Sequence, residues 1–136
     1  CGSGILGIAA LKLGAAEALL TDIDPQALQA AAENAARNEV GEQLNIVDAT
    51  KSDNSVRFNI LLANILSNTL IELGPVLDKH MEPGADIAIT GILSDQAESV
   101  ISAWSDWAQL QVGNQIRDWV LLTGCKHKAE QSGMED

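Results

Sequence analysis

Cys1-Gly2-Ser3-Gly4-Ile5-Leu6-Gly7 heads the chain and runs straight into a helical pattern, and Asp22 closes the next apolar run. Glycines at a strand-to-helix turn let the backbone approach a ligand. A carboxylate about twenty residues further on stands where a nucleotide ribose is held in a β-α-β unit. The strand that should precede the loop is absent from the sequence. The chain is therefore expected to be a piece of a longer protein that lacks its first strand.

Outward from that loop, helical and strand signals alternate. Residues 5–13 carry apolar side chains on every face and stop at Gly14, which predicts a short buried helix. A strand over 18–21 follows, then Asp24-Pro25, a cap with proline at the first helical position, and an alanine-rich helix to about residue 38. Residues 44–47 read as a strand closing on Asp48, and 51–57 as a polar loop. The continuous run Asn59-Ile60-Leu61-Leu62-Ala63 predicts a central parallel strand covered on both faces. A helix over 67–79 containing Pro75, a turn at Pro83-Gly84, a strand over 86–90 and a helix over 94–104 come next. Two strands near 110–112 and 119–123 leave no room for a helix between them, so they pair as an antiparallel hairpin at the sheet edge. The class is α/β: a doubly wound, mostly parallel sheet with an antiparallel terminal hairpin.

Composition narrows the function. A chain of 136 residues, 46% hydrophobic and 20% charged, suits one domain, read here as residues 1–125, with a polar, disordered tail over 126–136. The net charge of -11, from 19 acidic and 8 basic residues, repels phosphate backbones and favours a basic protein partner over nucleic acid. The 2 cysteines, Cys1 and Cys125, lie at opposite ends without metal-type spacing, which points to the cytoplasm and to no metal centre. No apolar stretch reaches the roughly eighteen residues of a membrane span.

Each chemical constellation has a plainer competitor. Gly2 to Gly7 fits the dinucleotide pattern G-x-G-x-x-G, and equally the second half of the methyltransferase loop acidic-x-G-x-G-x-G. It is also what tight helix-strand packing would select. Asp24 is the better helix cap of the two acids, so Asp22 takes the binding role. Asp48, at the end of the next strand, is placed to accept a hydrogen bond from an adenine amino group or is an ordinary strand-end aspartate. Asn64 in Leu62-Ala63-Asn64-Ile65-Leu66 ends a buried strand where doubly wound sheets bind ligands, with apolar neighbours to keep water away. Capping the following helix is its alternative role. Gly91-Ile92-Leu93 repeats that geometry, so its backbone is expected to line the same pocket. His80 and His127 read as surface residues, and Trp104, Trp107 and Trp119 most simply as core at the sheet edge, with an aromatic near the pocket able to face a substrate instead.

Taken in order and spacing, Cys1-Gly2-Ser3-Gly4-Ile5-Leu6, Asp22-Ile23-Asp24-Pro25-Gln26-Ala27-Leu28, Ala63-Asn64-Ile65-Leu66, Gly91-Ile92-Leu93 with Gln96, and Trp119-Val120-Leu121-Leu122-Thr123-Gly124 resemble the PrmA family. These are bacterial methyltransferases of large-subunit ribosomal protein eleven. The resemblance covers residues 1 to about 125 and implies a Rossmann-like methyltransferase fold. It also implies that Gly2 and Gly4 cradle S-adenosylmethionine, that Asp22 binds its ribose hydroxyls, and that Asn64 lies at the methyl-transfer site. The implied substrate is a ribosomal protein, methylated on lysine side chains, on its N-terminal amine, or on both. The sequence departs from the family in lacking the acidic residue and first glycine of the loop and the amino-terminal recognition domain. Two other readings stay open: a fragment of a nicotinamide-dependent dehydrogenase, and a non-catalytic remnant. Enzymes for bases or glutamine amides follow the strand-end Asn or Asp with Pro-Pro-aromatic, and Ile65-Leu66 cannot stack in that way.

Overall fold

The computed structural model describes residues 4–22, 24–48 and 57–128, which group into two compact units, Cys1–Asp53 and Asn54–Asp136, each with its own sheet and core. In the first unit, α1 (Ile5–Lys12), β1 (Ala18–Asp22), α2 (Pro25–Arg37) and β2 (Leu44–Asp48) follow one another. The two strands are parallel, in register from Ala18 opposite Leu44 to Asp22 opposite Asp48. Parallel neighbours need a crossover, and α2 supplies it. Asp24 starts that helix as expected: its Oδ1 accepts the Gln26 N–H at 3.0 Å, with Pro25 at the first helical position.

Small residues let this unit close. Ala31 and Ala35 turn the apolar face of α2 onto Leu20, Leu44, Ile8 and Leu11. Gly4 has φ +85°, and a Cβ on it would lie 2.9 Å from Ala31 Cβ and 3.2 Å from Leu20 Cδ2; one on Gly7 would collide with Leu20 Cδ1. Tight packing therefore accounts for both glycines whatever else they do. The expectation that the first helix is buried all round does not hold. Only Ile8 and Leu11, three residues apart on one face, are buried, while Ile5 is 68% and Leu13 87% exposed. The core that α1 meets in this unit covers one stripe of it.

The second unit holds β3 (Phe58–Asn64), α3 (Ser67–His80), β4 (Met81–Leu93), α4 (Ala97–Ala103), β5 (Ala108–Ile116) and β6 (Trp119–Lys126). The strand order is β3-β4-β6-β5, with β3 and β4 parallel and the other two pairings antiparallel. The terminal hairpin is present, its two-residue turn made by Arg117, at φ 57°, and Asp118. Among the described residues β3 has β4 alone as a neighbour, so Leu61 is buried while Ile60 and Leu62 are 53% and 41% exposed.

The core of this unit lies between the sheet and its helices, around Leu70, Ile87, Ile89, Ile92, Val100, Val120 and Leu122. Trp104 is fully buried there, and its indole N–H donates to the Leu70 carbonyl at 3.0 Å, which satisfies the polar edge of a large apolar side chain. Pro75 sits inside α3 without ending it. His80 is a correction: it is buried at the end of α3, not a surface residue, because the helix runs one residue further than expected and turns directly into β4. The Pro83-Gly84 turn exists inside a longer strand. Phe58 pairs with Met81 and Ile60 with Asp86, so residues 82–85 loop out of the ladder with Gly84 at φ +81°.

Lys126, placed in the tail by its composition, is the last residue of β6. Its Nζ donates to the carbonyls of Asp78 and Met81 at 2.8 and 2.9 Å and pairs with Asp78 Oδ1 at 3.0 Å, tying the end of α3 to the sheet. The expected loop over 51–56 and the tail over 129–136 lie outside the described residues. Lys126→Met is expected to lower stability by about 1–3 kcal/mol, since charge-assisted bonds to two carbonyls and an ion pair with a carboxylate are lost together. Urea unfolding measures it, and an unchanged midpoint would mean that these contacts contribute nothing.

Candidate functional site

β3 ends at Asn64, whose register partner on β4 is Thr90. Just beyond, the Ile65 N–H donates to the Thr90 carbonyl at 3.2 Å, which holds the β3–α3 turn against β4. The residue preceding the first turn of α3 is Leu66, and no side chain caps that helix. Asn64 is thereby released from the capping role that competes with a functional one. Around it opens a cavity of about 490 Å³ lined by Asn64, Ile65, Leu66, Thr90, Gly91 and Trp119.

Gly91 makes this arrangement possible. It has φ +87°, and a Cβ on it would lie 2.7 Å from the Ile65 carbonyl oxygen, 2.8 Å from Asn64 Oδ1 and 3.0 Å from the Ile65 nitrogen. A side chain here would push the turn off the sheet and displace the Asn64 amide. The expected role of Gly91 as pocket backbone is borne out. Trp119 takes the alternative place beside the pocket and not the core: it is 52% exposed and lines the cavity, because the hairpin turn sets it opposite Leu93 at the strand end. The apolar shield expected around Asn64 is thin, since Leu66 is 71% exposed.

The lining offers the Asn64 amide, backbone carbonyls, one hydroxyl and an indole face, and none of its six residues titrates. Such a surface can orient a polar group and exclude some water. It cannot act as a general acid or base. Sequence reasoning passed over Thr90 as an ordinary strand residue, although a polar residue followed by glycine at the end of an apolar strand is a usable signal.

In the first unit, Asp22 closes β1, and its Oδ1 accepts the Asp24 N–H at 3.1 Å while Asp24 caps α2. Asp24 thus takes the cap as expected. A carboxylate has about four acceptor positions, so an Asp at the carboxyl end of a parallel strand fits the hydroxyls of a ribose. Gly4 is the residue preceding α1. Gly2 lies outside the described residues, and Asp48 closes β2 as the register partner of Asp22, its side chain likewise outside them. The described residues contain no helix long and apolar enough to cross a membrane.

Parallel strands joined through helices, polar side chains at their carboxyl ends and an antiparallel closing hairpin define a Rossmann-like methyltransferase fold. The RNA methyltransferase of Salinibacter ruber, solved in complex with S-adenosyl-L-homocysteine, shares it with a TM-score of 0.70 at 16% identity, over 95% of this chain and 78% of that one. More specifically, the family model of ribosomal protein L11 methyltransferase (PrmA) matches residues 1–127, and the chain belongs to that family. The Photorhabdus laumondii member is 44% identical over 126 residues, which are 93% of this chain and 43% of the relative, so the chain spans under half of that protein's length. The crystal structure of the ribosomal protein L11 methylase of Lactobacillus delbrueckii matches with a TM-score of 0.80 at 33% identity, over 93% of this chain and 66% of that one. Family membership removes the dehydrogenase reading.

Gly91→Ala is expected to cost about 1–3 kcal/mol in denaturant unfolding, from left-handed strain and the contact with Ile65 and Asn64. Gly41→Ala, where a Cβ meets nothing within 4 Å, serves as its control and should stay within about 0.5 kcal/mol of the parent. Equal effects at the two positions would show that Gly91 is not needed for the turn.

Proposed function

We propose that this chain binds S-adenosylmethionine and transfers its methyl group to amino groups of ribosomal protein L11, on lysine side chains, on the N-terminal amine, or on both. The match of residues 1–127 to the family carries the reading. Gly2 and Gly4 are assigned to the cofactor loop, Asp22 to the ribose hydroxyls, Asp48 to the adenine amino group, and Asn64 to the reacting end of the cofactor and to the amine. A cytoplasmic setting, no nucleic-acid partner and no membrane partner complete the reading, and a net charge of -11 suits a basic protein substrate.

When bound, the cofactor supplies a methyl group already activated by its positively charged sulfur. What remains for the protein is alignment and partial exclusion of water. A free lysine amine has a pKa of about 10.4 and attacks only after losing its proton. With no titratable group among the cavity residues, that proton goes to solvent. Asn64 Oδ1 then accepts an N–H of the neutral amine and turns its lone pair toward the methyl carbon, while the indole of Trp119 offers a face to the alkyl chain or to the charged product.

Two measurements test this. Isothermal titration should show saturable binding of S-adenosylmethionine or S-adenosylhomocysteine and none of NAD, and Asp22→Ala should weaken it by about 1–3 kcal/mol. NAD binding without sulfonium-nucleoside binding would reject the reading. In the longest form of the protein that contains this chain, Asn64→Ala should lower turnover at least about tenfold with cofactor affinity nearly unchanged. Loss of stability and cofactor binding together, with turnover per folded molecule intact, would instead assign Asn64 a purely structural role.

A further inference from the structure

The ladder between β4 and β6 slips beside Asn64. Ile89 pairs with Leu122 and Ile92 with Val120, so β4 carries one residue more than its partner across Thr90 and Gly91. Gly91 at φ +87° marks the bulge. Regular alternation would send every second side chain to the core. Ile87, Ile89 and Ile92 are the buried ones, which leaves Thr90 and Gly91 as two successive residues on the cavity side.

At the bulge, Thr90 Oγ1 lies 3.1 Å from the Val120 carbonyl. A carbonyl has no hydrogen to give, so the hydroxyl donates its one hydrogen there. What Thr90 keeps is acceptor capacity, beside a cavity it shares with Asn64, its own register partner. We infer that Thr90 is a second acceptor for the incoming amine, paired with Asn64, and that this pair serves the first methylation of a nitrogen more than the last.

The inference rests on the amine-methylation reading above and follows from counting hydrogens. In each transfer the nitrogen lone pair forms a bond to the methyl carbon as the carbon–sulfur bond breaks, and that bond's electrons pass to sulfur. The positive charge moves to nitrogen, and a proton leaves to water while one remains on nitrogen to lose. An unmodified neutral amine brings two N–H groups, one for Asn64 Oδ1 and one for Thr90 Oγ1, which fixes the direction of its lone pair. A monomethylated amine brings one, and a dimethylated amine none. Two fixed acceptors therefore align the first acceptor state best and have nothing to hold in the last.

The test uses the longest form of the protein that contains this chain. Its substrates are unmodified ribosomal protein L11 and the same protein dimethylated at its amines by formaldehyde and borohydride. Thr90→Val, which keeps the shape and removes the oxygen, should lower kcat on the unmodified substrate about five- to tenfold. On the dimethylated substrate the loss should stay below about twofold, with S-adenosylmethionine affinity unchanged, and Thr90→Ser should restore most of the rate. Should Thr90→Val not fold, Thr90→Ala gives the same comparison. Equal losses on both substrates would assign Thr90 to the bulge alone and overturn the inference, as would an unchanged rate on the unmodified one. If the parent protein methylates neither, the proposed function itself fails, a result distinct from either.

Discussion

The site hangs on one backbone conformation, the left-handed turn at Gly91 near the carboxyl end of β4. Because the extra residue of the bulge sits there, the phase of β4 changes: the core keeps Ile89 and Ile92, and two successive residues between them go to the cavity. The same glycine lets the Ile65 carbonyl and the Asn64 amide come within about a van der Waals contact of the β4 backbone. A strand end with a side chain at that point would hold the β3–α3 turn further away, and Asn64 would no longer share a cavity with Thr90. Packing and chemistry here are therefore one constraint, not two.

That constraint is supported by contacts away from the cavity. Trp104, buried against α3 and bonded to the Leu70 carbonyl, fixes the helix that begins directly after the site, and Lys126 ties the other end of the same helix to β6 and the start of β4. A helix anchored at both ends holds the turn before it in place. This matters because Leu66 leaves the helix start without a side-chain cap. An uncapped start is a modest cost to stability that leaves Asn64 uncommitted to the helix.

The sequence shows most of the elements because their signals are local: Asp24-Pro25 for α2, alternation and apolar runs for the strands, and the lack of room for a helix between 110 and 123. It also shows Asn64 and Gly91, each a polar or flexible residue interrupting an apolar run. What it hides is set by pairing. The apolar run 59–63 reads as a doubly covered strand, yet with β4 as its described neighbour it exposes Ile60 and Leu62, since strand order is a property of the sheet and not of the segment. Thr90 reads as an ordinary alternating residue because a one-residue slip between β4 and β6 leaves no mark in either strand taken alone. His80 leaves its expected surroundings, and Trp119 the simpler of its two, for a related reason: one residue more of helix and a two-residue hairpin turn decide which of them faces solvent.

An arrangement built this way suits a reaction in which the protein handles no proton. The cavity residues hold no titratable group, so nothing there carries a charge that would repel an ammonium product or hold it by ion pairing. Hydrogen-bond acceptors favour a nitrogen that still has hydrogens to donate, and the preference fades with each one replaced. An acid at the same place would protonate the nitrogen and a carboxylate would hold the ammonium form by ion pairing, and both would withhold the lone pair. Neutral acceptors on a rigid turn avoid both difficulties, and they require only that the backbone keep its shape, which is what Gly91 secures.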